Sequence, residues 1–137
     1  MSTDINSDTL PTDREPTLRV VPLPRDTNTA GDIFGGWIMS HVDLAGSVVA
    51  SRRAQGRVVT VAVNAFNFKK PVYTGDWVSF YAEVTKVGNT SLTVDVKVYA
   101  ERGWRSGSTF TDCVRVTEAV LTYVAIDSKR LPRSVPS

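Results

Sequence analysis

The feature that most narrows what this chain can become is a change of hydrophobic period at Gly56. Between Trp37 and about Ala54 the residues Trp37, Ile38, Met39, Val42, Leu44, Ala45, Val48 and Val49 recur at mixed spacings of three and four, with no proline among them. That pattern predicts one helix of roughly five turns ending near Gly56. Its apolar side chains fall nearly all the way round, so the helix is expected to be buried. Beyond Gly56 the period becomes two. Val59, Val61 and Val63 alternate with Thr60, Ala62 and Asn64 and lead into Phe66 and Phe68, before Pro71 and a Gly75-Asp76 turn. Trp77 to Val87 is a second run, closed by Gly88-Asn89. Leu92, Val94, Val96 and Val98 alternate with Thr93, Asp95, Lys97 and Tyr99 as a half-exposed strand, and Cys113 to Ile126 makes the last long one. Residues 103–108 are rich in glycine and serine and read as a turn.

Ahead of the helix, Leu18 to Leu23 is bracketed by Pro16, Pro22 and Pro24 and suits a short edge strand. Arg25 to Gly36 carries the Asp, Thr, Asn and Gly of a loop. The order is therefore strand, long helix, four strands, an α+β architecture in one domain over residues 17–127. Polar, proline-containing stretches at 1–16 and 128–137 are expected to be flexible tails.

Composition removes several kinds of chemistry. His41 is the one histidine and Cys113 the one cysteine, too few ligands for finger-type or protease-type zinc sites, so no metal is expected. A histidine-based triad within one chain would have to run through His41. The formal charge is +2, and the basic residues of the body nearly balance its acids without interleaved aromatics, a poor footprint for nucleic acid. A membrane span over 33–51 is disfavoured by Asp43, His41 and three serines. The unpaired cysteine and a polar, acidic N-terminus fit a reducing cytoplasm.

Within this frame Asp43 stands out as the only charged residue between Asp32 and Arg52, in mid-helix. A lone carboxylate there needs hydrogen-bond partners or a function. At about 100° per residue Ser40 and Ser47 lie within about 60° of it, whereas His41 points about 160° away. Gly35 and Gly36 leave the first helical N–H groups uncovered by side chains, and such an end can receive an oxyanion or polarise a carbonyl. Each feature also has a plain structural explanation: Asp43 bonded to a neighbouring loop, the glycines allowing close packing, His41 packed or at an interface, and Asn28 and Asp32 serving as turn residues. Arg57, Lys69 and Lys70 suit either a polyanionic ligand or solvent.

Taken together, the run Asp26-Thr-Asn-Thr-Ala-Gly-Asp-Ile-Phe-Gly-Gly-Trp-Ile-Met-Ser-His-Val-Asp43 closely resembles the loop and helix of hotdog-fold acyl-CoA thioesterases of the YciA-like type. The likeness extends through Gly56-Arg-Val-Val-Thr60, Asn67-Phe-Lys-Lys-Pro71, Gly75-Asp76, Gly88-Asn-Thr-Ser91 and Thr117-Glu-Ala-Val to Tyr123-Val-Ala-Ile-Asp127, about 110 residues. The resemblance implies a central helix wrapped by a five- to six-stranded antiparallel sheet, homodimers with active sites at the interface, and often trimers of dimers. It implies hydrolysis of acyl-CoA to acid and CoA without metal or cofactor. Asp43 matches the catalytic carboxylate, as general base or nucleophile, and Gly36 with Gly35 the helix start that polarises the thioester carbonyl. Asn28 and Asp32 match loop positions lying across the interface from the other subunit's helix. Arg57, Thr60, Asn89, Thr90 and Ser91 match regions lining the CoA path, with Lys69 or Lys70 toward phosphates. His41 departs from the neutral amide familiar in relatives.

Two other classes stay in view. A non-catalytic hotdog module binding acyl-CoA would not need Asp43 and Gly36 intact. A hotdog hydratase or dehydratase would want a histidine acting on the acyl chain, which the direction of His41 disfavours.

Overall fold

A computed structural model of the chain describes residues 8–102 and 112–137; the turn expected at 103–108 lies outside them. The elements follow the expected order: β1 (Leu18–Val20), a 3-10 turn (Pro24–Asp26), α1 (Gly35–Ala54), β2 (Val58–Phe68), β3 (Trp77–Val87), β4 (Ser91–Glu101) and β5 (Cys113–Ala125). The strands form one five-stranded sheet in the order β1-β3-β4-β5-β2, antiparallel throughout. Pro22 confines β1 to three residues at one edge, because a proline there supplies no donor.

The sheet curves round α1 and buries Val94, Val96, Leu121 and Phe80 against Ile38, Val42 and Ala45. Ala45, Gly46, Ala50 and Ala54 are the small residues that let the helix axis lie close to the strands. The expectation of a helix buried all round is corrected. One sheet covers one face, and Leu44 is 52% and Met39 42% exposed on the other. The apolar residues that made the helix look like a core element are thus divided between this chain's own sheet and an open surface.

A second correction concerns β2, at the opposite edge. Strict alternation would set Thr60 and Val63 on opposite faces. Register shifts between Thr60 and Ala62 and between Val63 and Ala65 insert an extra residue twice, and each bulge turns the following side chains over. Thr60, Val63 and Phe66 consequently share the helix-facing side, while Val61 is 55% exposed along the edge.

The flexible tails also give way to docked segments wherever residues are described. At the C-terminal end Asp127 accepts from the amides of Lys129 and Leu131, Arg133 donates to the carbonyls of Ala54 and Ile126, Arg53 donates to that of Pro136, and Val135 N–H reaches Asn89. The last carbonyls of a helix lack intrahelical donors, and a guanidinium supplies them. At the other end Leu10 packs on Tyr81, Tyr99 and Cys113, and the Asp8 carboxylate accepts from Arg115 N–H at 2.8 Å.

Candidate active site

The loop before α1 is a folded platform. Asn28 accepts from the amides of Ala30 and Asp32 through Oδ1, an Asx turn, and its own N–H donates to the Asp32 carbonyl at 2.7 Å. Ile33 N–H donates to Val72 at 2.9 Å, tying the platform to the loop between β2 and β3. That second loop is held by Asp76, fully buried, which accepts from Tyr73 N–H and from Arg102 Nε at 2.9 and 3.0 Å. Arg102 also donates to the Pro71 carbonyl and stacks over Tyr73. Neither Arg102 nor Asp76 stood out in the sequence, where a single acid beside a glycine reads as an ordinary turn.

The platform delivers a helix start with no side-chain cap and no acidic residue in its first turn. Gly35 and Gly36 differ here. A β-carbon at Gly35 would press on the Phe68 ring at 3.2 Å, so close packing accounts for that glycine; one at Gly36 would meet nothing within 4 Å. Asn28, Asp32, Gly35, Ile38, Phe68, Lys69 and Lys70 line a cavity of about 370 Å³ beside this helix end.

Asp43 sits in a separate cavity of about 250 Å³, with Met39, Ser40, Thr60, Val63, Phe66 and Leu121. Seven residues of helix, about 10 Å of rise, separate it from Gly36. Among the described residues the carboxylate is held on one oxygen. Thr60 Oγ1 donates to Oδ1 at 2.6 Å and the Tyr123 hydroxyl lies 3.1 Å from the same atom and 2.8 Å from the Asp43 carbonyl. Burial, with the neighbouring Asp43 charge second, pushes the Tyr123 phenol far above its ordinary range, so it stays a donor. Ser40 faces this cavity, but Ser47 turns back to the Leu44 carbonyl. His41 points away as expected. It contacts the Trp37 carbonyl through Nδ1 at 2.7 Å and packs against the Trp37 and Phe80 rings.

Of the residues expected along a CoA path, Thr60 is found on the Asp43 carboxylate. The others divide between the two ends of β2, a strand of eleven residues and thus about 30 Å long. Lys69 and Lys70 are exposed at the α1 start, whereas Arg57 lies at the far end with Asn89, Thr90 and Ser91. Asn89 and Thr90 there accept backbone bonds from Val135 and Ala125. Sequence reasoning missed Tyr123 and Gly46 as site residues. The available signal was a glycine three residues after Asp43, on the same helix face, opposite a tyrosine on the inward side of β5.

Residues 30–104 match the model of the thioesterase superfamily. The chain is 44% identical over 119 residues to an uncharacterized acyl-CoA thioester hydrolase of Haemophilus influenzae, covering 87% of this chain and 76% of that one. It is 40% identical over 119 residues to the acyl-CoA thioester hydrolase YciA of Escherichia coli, covering 87% and 89%. Among solved structures, a hexameric hotdog-fold thioesterase of Campylobacter jejuni superposes with a TM-score of 0.85 at 43% identity over 90% of this chain and 91% of that one. A hexameric thioesterase from Yersinia pestis gives 0.82 at 45% identity over 93% and 99%. A single helix in a five-stranded antiparallel sheet, a mid-helix carboxylate and matches of this extent establish that the chain belongs to the thioesterase superfamily, with the hotdog fold.

Proposed function

We propose that this chain hydrolyses acyl-CoA thioesters to a carboxylic acid and CoA, with Asp43 as general base or nucleophile and the Gly36 end of α1 polarising the carbonyl. The observation that carries this reading is the Asp43 carboxylate, anchored through Oδ1 by two hydroxyls at the wall of a largely apolar cavity. Attack on a thioester builds negative charge on oxygen. One backbone donor aimed at it is worth roughly 2.7–4 kcal/mol, and the uncapped amides at Gly35 and Gly36 are of that kind. No metal or cofactor is required by this chemistry.

In one chain these parts are too far apart, since base and oxyanion donor must both approach one carbonyl. Two copies related by a two-fold axis resolve this. β2 is a long edge strand with exposed Val61 and Val63, ready to pair with itself. Antiparallel pairing would lay the Arg57 end of one copy toward the Lys69 and Lys70 end of the other, gathering the basic residues that one chain keeps apart. It would also set the Asn28–Gly36 platform of one copy near the Asp43 turn of the other. Dimers would stack further into hexamers, the state of the Campylobacter and Yersinia thioesterases. The unpartnered, buried Cys113 suits a reducing compartment such as the cytoplasm.

The test is release of the CoA thiol from a panel of short- to long-chain acyl-CoAs. Wild-type protein is expected to hydrolyse part of the panel. If it hydrolyses none while CoA still raises its melting temperature, the chain is a binding module and the hydrolase reading falls.

A further inference from the structure

We propose that Tyr123 is a positioning residue for the Asp43 carboxylate and that Gly46 is the position that admits it; this rests on the thioesterase reading of the same site. Tyr123 stands on β5 directly opposite Thr60 of β2 and is fully buried. Both hydroxyls end on Oδ1 of Asp43, and among the described residues no hydrogen bond ends on Oδ2. One oxygen is therefore fixed by two adjacent strands, and the other remains for water or an acyl carbon.

The phenol has one proton to place between the Asp43 carboxylate and the Asp43 backbone carbonyl, at 3.1 and 2.8 Å. Shared in this way, it ties the side chain of Asp43 to its own main chain and narrows the rotamers the carboxylate can visit. The phenol remains protonated because burial and the neighbouring charge both oppose its ionisation.

Gly46 separates this role from simple core filling. A β-carbon there would collide with the Tyr123 hydroxyl and lie 3.0 and 3.1 Å from two ring carbons. Glycine inside a helix is unfavourable relative to alanine. A ring without the hydroxyl would keep only the contacts of 3.0 and 3.1 Å, which a small shift relieves, whereas the hydroxyl that reaches Oδ1 stands where that β-carbon would intrude.

The experiment measures kcat, KM and melting temperature for wild type, Asp43→Asn, Tyr123→Phe and Gly46→Ala on one hydrolysed acyl-CoA. Losing a hydrogen bond to a charged group predicts that Tyr123→Phe lowers kcat about tenfold while KM changes by less than about twofold. Gly46→Ala keeps the hydroxyl but pushes it off the carboxylate, and is expected to lower kcat similarly. This second variant decides the matter should Tyr123→Phe fold poorly. Wild-type kcat in either folded variant, or a rise in KM alone, overturns the positioning role. Full activity of Asp43→Asn overturns the catalytic reading and this inference with it, whereas Asp43-dependent activity indifferent to Tyr123 overturns the inference alone.

Discussion

Two turns of the same helix present opposite kinds of site. Around Asp43 the chain supplies everything itself: Thr60 and Tyr123 on the carboxylate, and apolar walls from Val63, Phe66 and Leu121. Around Gly36 the helix start itself offers bare amides, with no side-chain cap, no acidic residue in its first turn, and open space where a side chain would stand. The carboxylate is held by side chains of its own chain, whereas on the proposed mechanism the amide end is completed by a second chain and a substrate. On that mechanism, folding and assembly contribute different halves of one reaction.

The largest expected effect is at the self-contained half. Asp43→Ala should lower kcat by about a hundredfold or more, the scale of a lost general base, while circular dichroism and CoA-induced stabilisation stay near wild type; retained turnover would break the comparison at its root. Next comes the support of the amide half. Arg102→Ala removes one charged donor from the fully buried Asp76, and losing a hydrogen bond to a charged group is expected to lower stability by about 2 kcal/mol. Chemical denaturation measures this, with the Asn28–Gly36 platform becoming the first region to lose hydrogen-exchange protection.

At Gly36 a β-carbon has room in the single chain, so Gly36→Ala should leave stability within about 1 kcal/mol of wild type. Its kcat/KM should nevertheless fall about tenfold, on the scale of an impaired oxyanion contact. Unchanged kcat/KM would show that the helix start is not used. The smallest effect is expected far from both halves. Burial raises the Cys113 thiol from 9.0 to about 11, so the folded protein holds that proton more tightly than the unfolded chain. Its contribution to stability is complete below about pH 9 and declines as pH rises toward 11. Alkylation at pH 8 should accordingly be slow, and fast labelling there would contradict the docked N-terminal segment over Cys113.

What was legible follows the same divide. The helix, the sequence of elements along the chain and Asp43 were readable because period and an isolated charge are local properties. Gly35 and Gly36 were readable as an uncovered helix end for the same reason. The bulges in β2 were not, because they arise from how Val59 to Phe68 registers on β5, and no repeat in the strand itself announces them. They bring Val63 to the helix-facing side between Thr60 and Phe66 and so complete that wall of the Asp43 cavity. Tyr123 was hidden as one more inward residue of an apolar strand, its hydroxyl meaningful only once α1 is laid across it. The C-terminal segment looked like a tail because its composition is polar, and composition does not show that Arg133 meets the last carbonyls of a helix some eighty residues earlier.

The fit between Gly46 and Tyr123 also bears on descent. A lineage carrying this tyrosine cannot exchange the glycine for any larger residue in a single step without displacing the ring. The reverse order is open, since losing the phenolic oxygen first removes the most severe of the clashes. Substitution at these two positions thus has a preferred direction in time, set by the space occupied by one oxygen atom.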